Sequence, residues 1–157
     1  MTQNKNVQPP DAIILIAAQF DEIAVITCHS VLRSHQLSVA LVSMMPGLVQ
    51  SIHGISVHPD SYLSHGWELV SQHKRQVIIL AGGEACAAKT LSDPRTHQLV
   101  KNVLRQGGHV AVMTKADFLV QETGLASPEW TKRIVYQGGR NTAMFVQQLV
   151  DHITPRN

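Results

Sequence analysis

The chain has 157 residues, a length that suits one compact domain rather than two. Apolar residues make up 44% of it, charged residues only 15%, and the formal net charge of +2 comes from scattered basic side chains. Without a block of like charge, this composition argues against a partner such as nucleic acid or an anionic membrane surface. No apolar run approaches the ~20 residues that a membrane span needs.

The cysteine content indicates a reducing environment. The only two cysteines, Cys28 and Cys86, form neither a disulfide framework nor a CxxC metal motif, so we expect a cytoplasmic protein. The apolar segment at 12–18 is flanked by acidic residues and is more typical of a buried strand than of a secretory leader. Residues 1–11 are expected to form a flexible tail, and residues 12–157 a single domain.

The first half of this domain alternates strand and helix patterns. A buried strand is predicted for AIILIA, a helix for FDEIAVITCHSVLRSH, a second strand for LSVALVSM and a short hairpin for LVQSIHGISVHPD. The segment QVIILAGG is a further buried strand. It is followed by a helix in which Asp93 is the N-cap, Pro94 stands in the first turn and Gly107 is the stop.

The second half repeats the alternation. HVAVM is a strand, residues from about 115 to 123 are a helix, RIVYQ is a final strand, and NTAMFVQQLVDHI is a closing helix capped by Asn141. This order predicts an α/β three-layer sandwich with a mostly parallel, flavodoxin-like sheet. Since parallel sheets place binding sites at the carboxyl ends of their strands, the loops at 19–22, 82–86, 114–117 and 137–141 should meet at one edge.

Several segments, in the correct order, resemble the ThiJ/PfpI family of the class I glutamine-amidotransferase-like superfamily. FDEIAVITCHSVLR is similar to the family's FEEIEAVTPIDVLR, and HGISVHPDSYL is similar to GITVTPDATL. VIILAGGEACAAKTLSD resembles LVLPGGxxGAxxLRD with one extra residue. The resemblance covers residues 12 to about 125 and resumes at 133, and it implies the same α/β sandwich.

The resemblance also implies where a catalytic site would lie. Family members carry a nucleophile elbow of the form AxCHGP, a Glu from the first helix that hydrogen-bonds the thiol, and oxyanion-binding amides near the Gly-Gly loop. Here the Cys position falls on Thr114 and the Glu position on Ala24. The short connector ASPEWTKR also leaves no room for the material that family enzymes insert before the final strand. Only Gly82 and Gly83 keep their expected form.

Three functional hypotheses remain open from the sequence. The favoured one is a non-catalytic relative that binds a small molecule or a protein partner. A second is a hydrolase or glyoxalase-like enzyme using Thr114 or Cys86, and a third is an interaction subunit of a larger assembly. Thr is a weak nucleophile without a base, and Ala24 cannot supply one. We therefore interpret Thr114 as a cap of the following helix and Cys86 as a packed apolar side chain.

A ligand, if one binds, is predicted at the edge where the loops meet. The candidate ligand-binding residues are Gly82, Gly83, Glu84, Thr114, Lys115, Arg140 and Asn141. The favoured ligand is a small anion, because glycine amides, a helix N-terminus near Lys115 and the guanidinium fork of Arg140 all attract negative charge. The negative charges of Glu84 and Asp117 oppose it. No cofactor is expected. No metal is expected either, because His53, His58 and His65 match no zinc-ligand spacing.

A homodimer is the expected assembly. Family members commonly pair through the first helix, and here the apolar residues of that helix cover more than one stripe. Ile26, Cys28, Val31 and Leu32 cannot all face one sheet. Closed two-fold pairing is the commonest way to cover such a surplus surface.

Overall fold

The computed structural model describes residues 8–154, which contain eight strands and five α-helices. The first half contains β1 (Ala12–Ile16), α1 (Glu22–Ser34), β2 (Val39–Ser43), β3 (Val49–Gln50), β4 (Ser56–Val57) and β5 (Ser61–Tyr62), followed by 3-10 turns over Leu63–Leu69. The second half contains β6 (Val77–Leu80), α2 (Glu84–Ser92), α3 (Pro94–Arg105), β7 (His109–Val112), α4 (Asp117–Glu122), β8 (Ile134–Tyr136) and α5 (Thr142–Ile153). A short 3-10 turn, Thr131–Arg133, precedes β8.

Six strands form one parallel sheet in the order β5-β2-β1-β6-β7-β8. At its centre, Ile14 of β1 pairs with Leu41 of β2 on one side and Ile79 of β6 on the other. The remaining two strands, β3 and β4, form the predicted antiparallel hairpin. The α/β sandwich with a mostly parallel sheet is therefore confirmed.

The sheet is covered on both faces, and this explains why β1 is apolar at every position. Ile14 and Ile16 face a cluster that contains Leu32 of α1 and Phe145 of α5. The alternate residues of β1 face a second cluster, built with α2 and α3. Because successive side chains of a strand point to opposite faces, a strand between two helical layers must be apolar throughout.

The helix starts follow the predicted capping chemistry. The Asp93 carboxylate accepts a hydrogen bond from Arg95 N at 2.8 Å, and the Asn141 side chain accepts one from Ala143 N at 2.9 Å. Both predicted caps are confirmed. Asp21 caps α1 in the same way.

Two of the α-helices differ from the prediction. The Ala-rich segment after the Gly-Gly turn is a helix, α2, that the hydrophobic pattern did not indicate. In addition, α4 begins at Asp117, two residues later than expected. Lys115 has φ 76°, a left-handed conformation that an α-helix cannot contain.

The tail expected at 1–11 stays a prediction: residues 1–7 lie outside the described part of the chain, and residues 10 and 11 contact the domain. Pro10 is buried. The Asp11 carboxylate accepts a hydrogen bond from Ser38 N at 2.7 Å and lies 3.2 Å from Lys74 Nζ. The ordered domain thus begins before β1.

None of the helices in residues 8–154 is long and apolar enough to cross a membrane.

Candidate functional site

The Gly-Gly turn after β6 packs directly against the turn that leads into α1. Asp21 N donates a hydrogen bond to Gly82 O at 3.1 Å. Gly83 has φ +100°, and a Cβ built on it would lie 2.6 Å from the carbonyl oxygen of Gln19. Only glycine fits this position, because both the backbone conformation and the contact exclude a side chain.

Thr114 lies beside this turn, but its hydroxyl is already used. Thr114 Oγ1 donates to Gly138 O at 3.1 Å, and Thr114 N donates to Gln137 Oε1 at 3.0 Å. The interpretation of Thr114 as a cap of α4 is therefore wrong: the N-cap position is Ala116, and it makes no side-chain capping bond. The hydroxyl instead ties the β7 turn to the loop after β8.

The strained residue of the turn is Lys115 rather than Thr114. Lys115 is exposed, and its φ of 76° places it in the left-handed region that non-glycine residues seldom adopt. A nucleophile elbow holds its reactive residue at the strained apex of such a turn. The backbone conformation therefore indicates Lys115, one residue after the position assigned by sequence, as the apex.

The sequence position of the family Glu carries no carboxylate in this chain. Ala24 stands there and is 7% exposed. The buried carboxylate of α1 is Glu22, two residues earlier, and its Oε1 lies 2.6 Å from Nδ1 of His53 on the β3–β4 turn. Burial raises the pKa of Glu22, but hydrogen bonds from its own backbone N–H, from His53 and from Ser51 outweigh this and lower the pKa below its ordinary value.

Neither cysteine is prepared for nucleophilic chemistry. Burial, with a smaller contribution from the charge of Asp21, raises the pKa of Cys28 to about 12. Burial also raises the pKa of Cys86 to about 11, although its Sγ accepts a hydrogen bond from Ala17 N at 3.2 Å and Lys89 lies nearby. Because the thiolate is the reactive form, burial and the raised pKa values disfavour nucleophilic reaction at either sulfur at neutral pH.

Arg140 does not present the free fork that the sequence suggested. Its guanidinium donates to Gln137 O at 3.1 Å, to Tyr136 O and to Gln148 Oε1, and its Cζ lies 5.2 Å from the centroid of the Phe145 ring. Asn141 is likewise engaged as the cap of α5. Residues 137–141, between β8 and α5, form the closing loop, and these bonds hold it against both elements. The geometry therefore does not favour the anion site expected there.

The histidines have ordinary local partners. His53 pairs with Glu22, His58 Nδ1 lies 2.9 Å from Pro59 O, and His65 Nε2 lies 3.0 Å from the Tyr62 hydroxyl. Among residues 8–154, no group of three or more His, Cys, Asp or Glu side chains is arranged to hold a metal ion.

The predicted site residues are thus only partly brought together. Gly82 and Thr114 are neighbours, since a Cβ on Gly82 would lie 3.4 Å from Thr114 O. Lys115 and Glu84 are exposed at the same edge, whereas Arg140 and Asn141 serve the closing loop. Gln137, the buried side chain that joins this edge to the closing loop, was missed as an individual residue, and no sequence pattern marked it.

Comparisons with known proteins agree with this fold. The DJ-1/PfpI family model matches residues 10–143, so the chain belongs to that family, which the sequence analysis identified as ThiJ/PfpI.

Drosophila melanogaster DJ-1beta is similar at TM-score 0.77 and 16% identity, covering 95% of this chain and 92% of that one. Oxidized Toxoplasma gondii DJ-1 is similar at TM-score 0.75 and 17% identity, covering 90% and 89%. A DJ-1 superfamily protein from Salmonella typhimurium gives TM-score 0.72 and 19% identity, covering 89% and 88%. The curated proteins give no match.

Proposed function

Taking membership of the DJ-1/PfpI family as the premise, we propose that this chain is a non-catalytic member that acts by binding a small molecule or a protein partner. The observation that carries the proposal is the state of the elbow. Thr114 Oγ1 donates to the carbonyl oxygen of Gly138, the apex of the turn is Lys115, and Ala24 stands at the position of the family Glu, so the turn carries neither a thiol nor that carboxylate. A nucleophile without an activating base gives little rate advantage.

The state of the two thiols supports the same proposal. Cys28 and Cys86 are both unpaired and buried, and the pKa of each is raised by burial. Unpaired thiols also fit the expected cytoplasmic location. Thr114 at this edge is exposed, so the site offers a surface but no reactive sulfur.

Thiol labelling tests the proposal with a built-in control. At pH 7.5 we expect the native chain to react with iodoacetamide at least about 100-fold more slowly than the Thr114→Cys variant, because only the variant has an exposed thiol. Urea-unfolded wild type serves as the reference for complete labelling.

In parallel, methylglyoxal and amide turnover should be absent in wild type and unchanged in Thr114→Ala and Lys115→Ala.

Two results would contradict the non-catalytic assignment. One is rapid labelling of Cys86 in the native chain. The other is a verified turnover in wild type that falls tenfold or more when Thr114 or Lys115 is replaced by Ala.

We also propose that the chain forms a homodimer through an apolar surface on α1 and the β3–β4 turn. Ile23 and Ile26 of α1 are 71% and 52% exposed, and Ile52 and Ile55 of the turn are 44% and 46% exposed. The Glu22–His53 contact holds the two elements together. Cys28 and Leu32, which the sequence analysis counted in this surplus, are buried in the core, so the outer stripe of α1 is formed by other residues.

Light scattering at micromolar concentration tests the dimer. Wild type should give about twice the chain mass of 17.2 kDa. Ile26→Glu should give the monomer mass, because it places a charge in the apolar surface. Met144→Glu is the matched control, since Met144 is 70% exposed on α5 and should leave the dimer intact. A wild-type monomer, or a dimer that survives Ile26→Glu, would rule out this surface.

A further inference from the structure

A cavity at the carboxyl edge of the sheet lies over β1 and β2, to one side of the elbow. Its volume is about 510 Å³, within the range of roughly 300–1,000 Å³ that is typical of small-molecule sites. The segments that follow β1 and β2 line it together with part of α2; the residues that matter here are Ala17, Met44, Met45, Leu48 and Lys89. The candidate residues Thr114, Lys115 and Arg140 do not line it.

The walls of this cavity are mainly apolar. Met45 and Leu48, which line it, are 71% and 69% exposed, so their apolar surface is open to a ligand. Two polar groups beside the cavity are already paired: Ser43 Oγ donates to Met45 O at 2.6 Å, and Ala17 N donates to Cys86 Sγ. Methionine side chains adapt readily to the shape of an apolar ligand.

One positive charge at the cavity is not balanced. Arg95 is paired with Asp93, with Nη2 2.8 Å from Oδ2. Lys89 of α2 also lines the cavity, and no carboxylate within residues 8–154 lies at ion-pair distance from it. The lining therefore combines an apolar surface with one excess cation, which is the complement of an apolar chain with a carboxylate.

We propose that this cavity binds a small amphipathic carboxylate, with its apolar chain against Met44, Met45 and Leu48 and its carboxylate directed to Lys89. The inference rests on the proposed binding function and gives that function a site and a ligand class. It places the ligand over β1 and β2 rather than at the Gly-Gly turn and Arg140.

Decanoate and decyltrimethylammonium, both below their micelle-forming concentrations, are suitable probes because they share a chain and differ in charge. By isothermal titration calorimetry, wild type should bind decanoate more tightly by about tenfold. Lys89→Glu should reverse this preference, whereas Lys101→Glu, an exposed change on α3, should preserve it. Leu48→Gln should weaken both probes by about fivefold, since it removes apolar contact area.

Methyl-labelled methionine gives a readout of where the probe binds, in addition to its affinity. Decanoate should shift the methyl signals of Met44 and Met45 but not that of Met144. No decanoate binding, unshifted Met44 and Met45 signals, or a Lys89→Glu variant that still prefers decanoate would each overturn the site. Such a failure, with the thiols still unreactive and turnover still absent, would remove the cavity and leave the proposed function standing.

Discussion

Gly83→Ala is expected to lower the free energy of unfolding by about 3 kcal/mol or more, the largest effect of any single methyl group added at this edge. The added Cβ would lie 2.6 Å from Gln19 O and 3.3 Å from Asp21 N, and both atoms belong to the backbone. Neither atom can move without displacing the start of α1. Urea unfolding followed by circular dichroism measures the loss.

Gly47→Ala separates the steric contact from the cost of the backbone conformation. Gly47 has φ +104°, almost the same as Gly83, but a Cβ there meets nothing within 4 Å. Its substitution should therefore cost only about 1–2 kcal/mol, the penalty of a left-handed alanine. Equal losses for the two variants would show that the Gly83 turn can shift and that the contact with α1 is not restrictive.

Gln137→Met is expected to destabilise the chain by about 2–3 kcal/mol, because it leaves polar groups unpaired around a buried side chain. Gln137 Oε1 accepts from Thr114 N, and Nε2 donates to Arg140 O at 3.0 Å and to Thr142 Oγ1 at 3.1 Å. Methionine fills a similar volume but makes none of these bonds. Unfolding in urea gives the change in stability, and hydrogen exchange at the Thr114 amide should become faster.

Gln147→Met is the control for this experiment, since Gln147 is exposed on α5. Its effect should stay within about 0.5 kcal/mol, as for most surface substitutions. If the Thr114 amide stays as protected in Gln137→Met as in Gln147→Met, the Gln137 side chain is not what holds the elbow turn to the closing loop.

The fold was predictable because its signals are local. The continuous apolar runs of β1 and β6 are needed by strands buried on both faces, and the caps at Asp93 and Asn141 depend only on residues a few positions away. The helix α2 was missed because its Ala-rich sequence has a weak apolar stripe and follows the Gly-Gly turn without a side-chain cap. Tertiary packing, rather than pattern, decides that segment.

The site was less predictable because its contacts join segments far apart in the chain. Arg140 is an exception, because its partners Tyr136, Gln137 and Gln148 lie only three to eight residues away, but whether its guanidinium reaches them depends on how β8 and α5 meet. Likewise, the strain at Lys115 depends on how β7 meets its neighbours, so the sequence alignment assigned the apex to Thr114. The pairing of Glu22 with His53 links α1 to the hairpin turn, and neither residue carries a local signal for it.

The packing of α5 against α1 and the central sheet has a consequence for synthesis on the ribosome. The cluster that covers one face of β1 includes Phe145, Val146, Leu149 and Ile153, all from the last helix described. Until α5 has emerged from the ribosome, the apolar side chains of β1 and α1 that share this cluster with α5 lack one of their packing partners. A nascent chain of this protein therefore leaves part of one sheet face, the part that α5 covers, exposed until residues 142–153 have emerged, and exposed apolar surface is prone to aggregate.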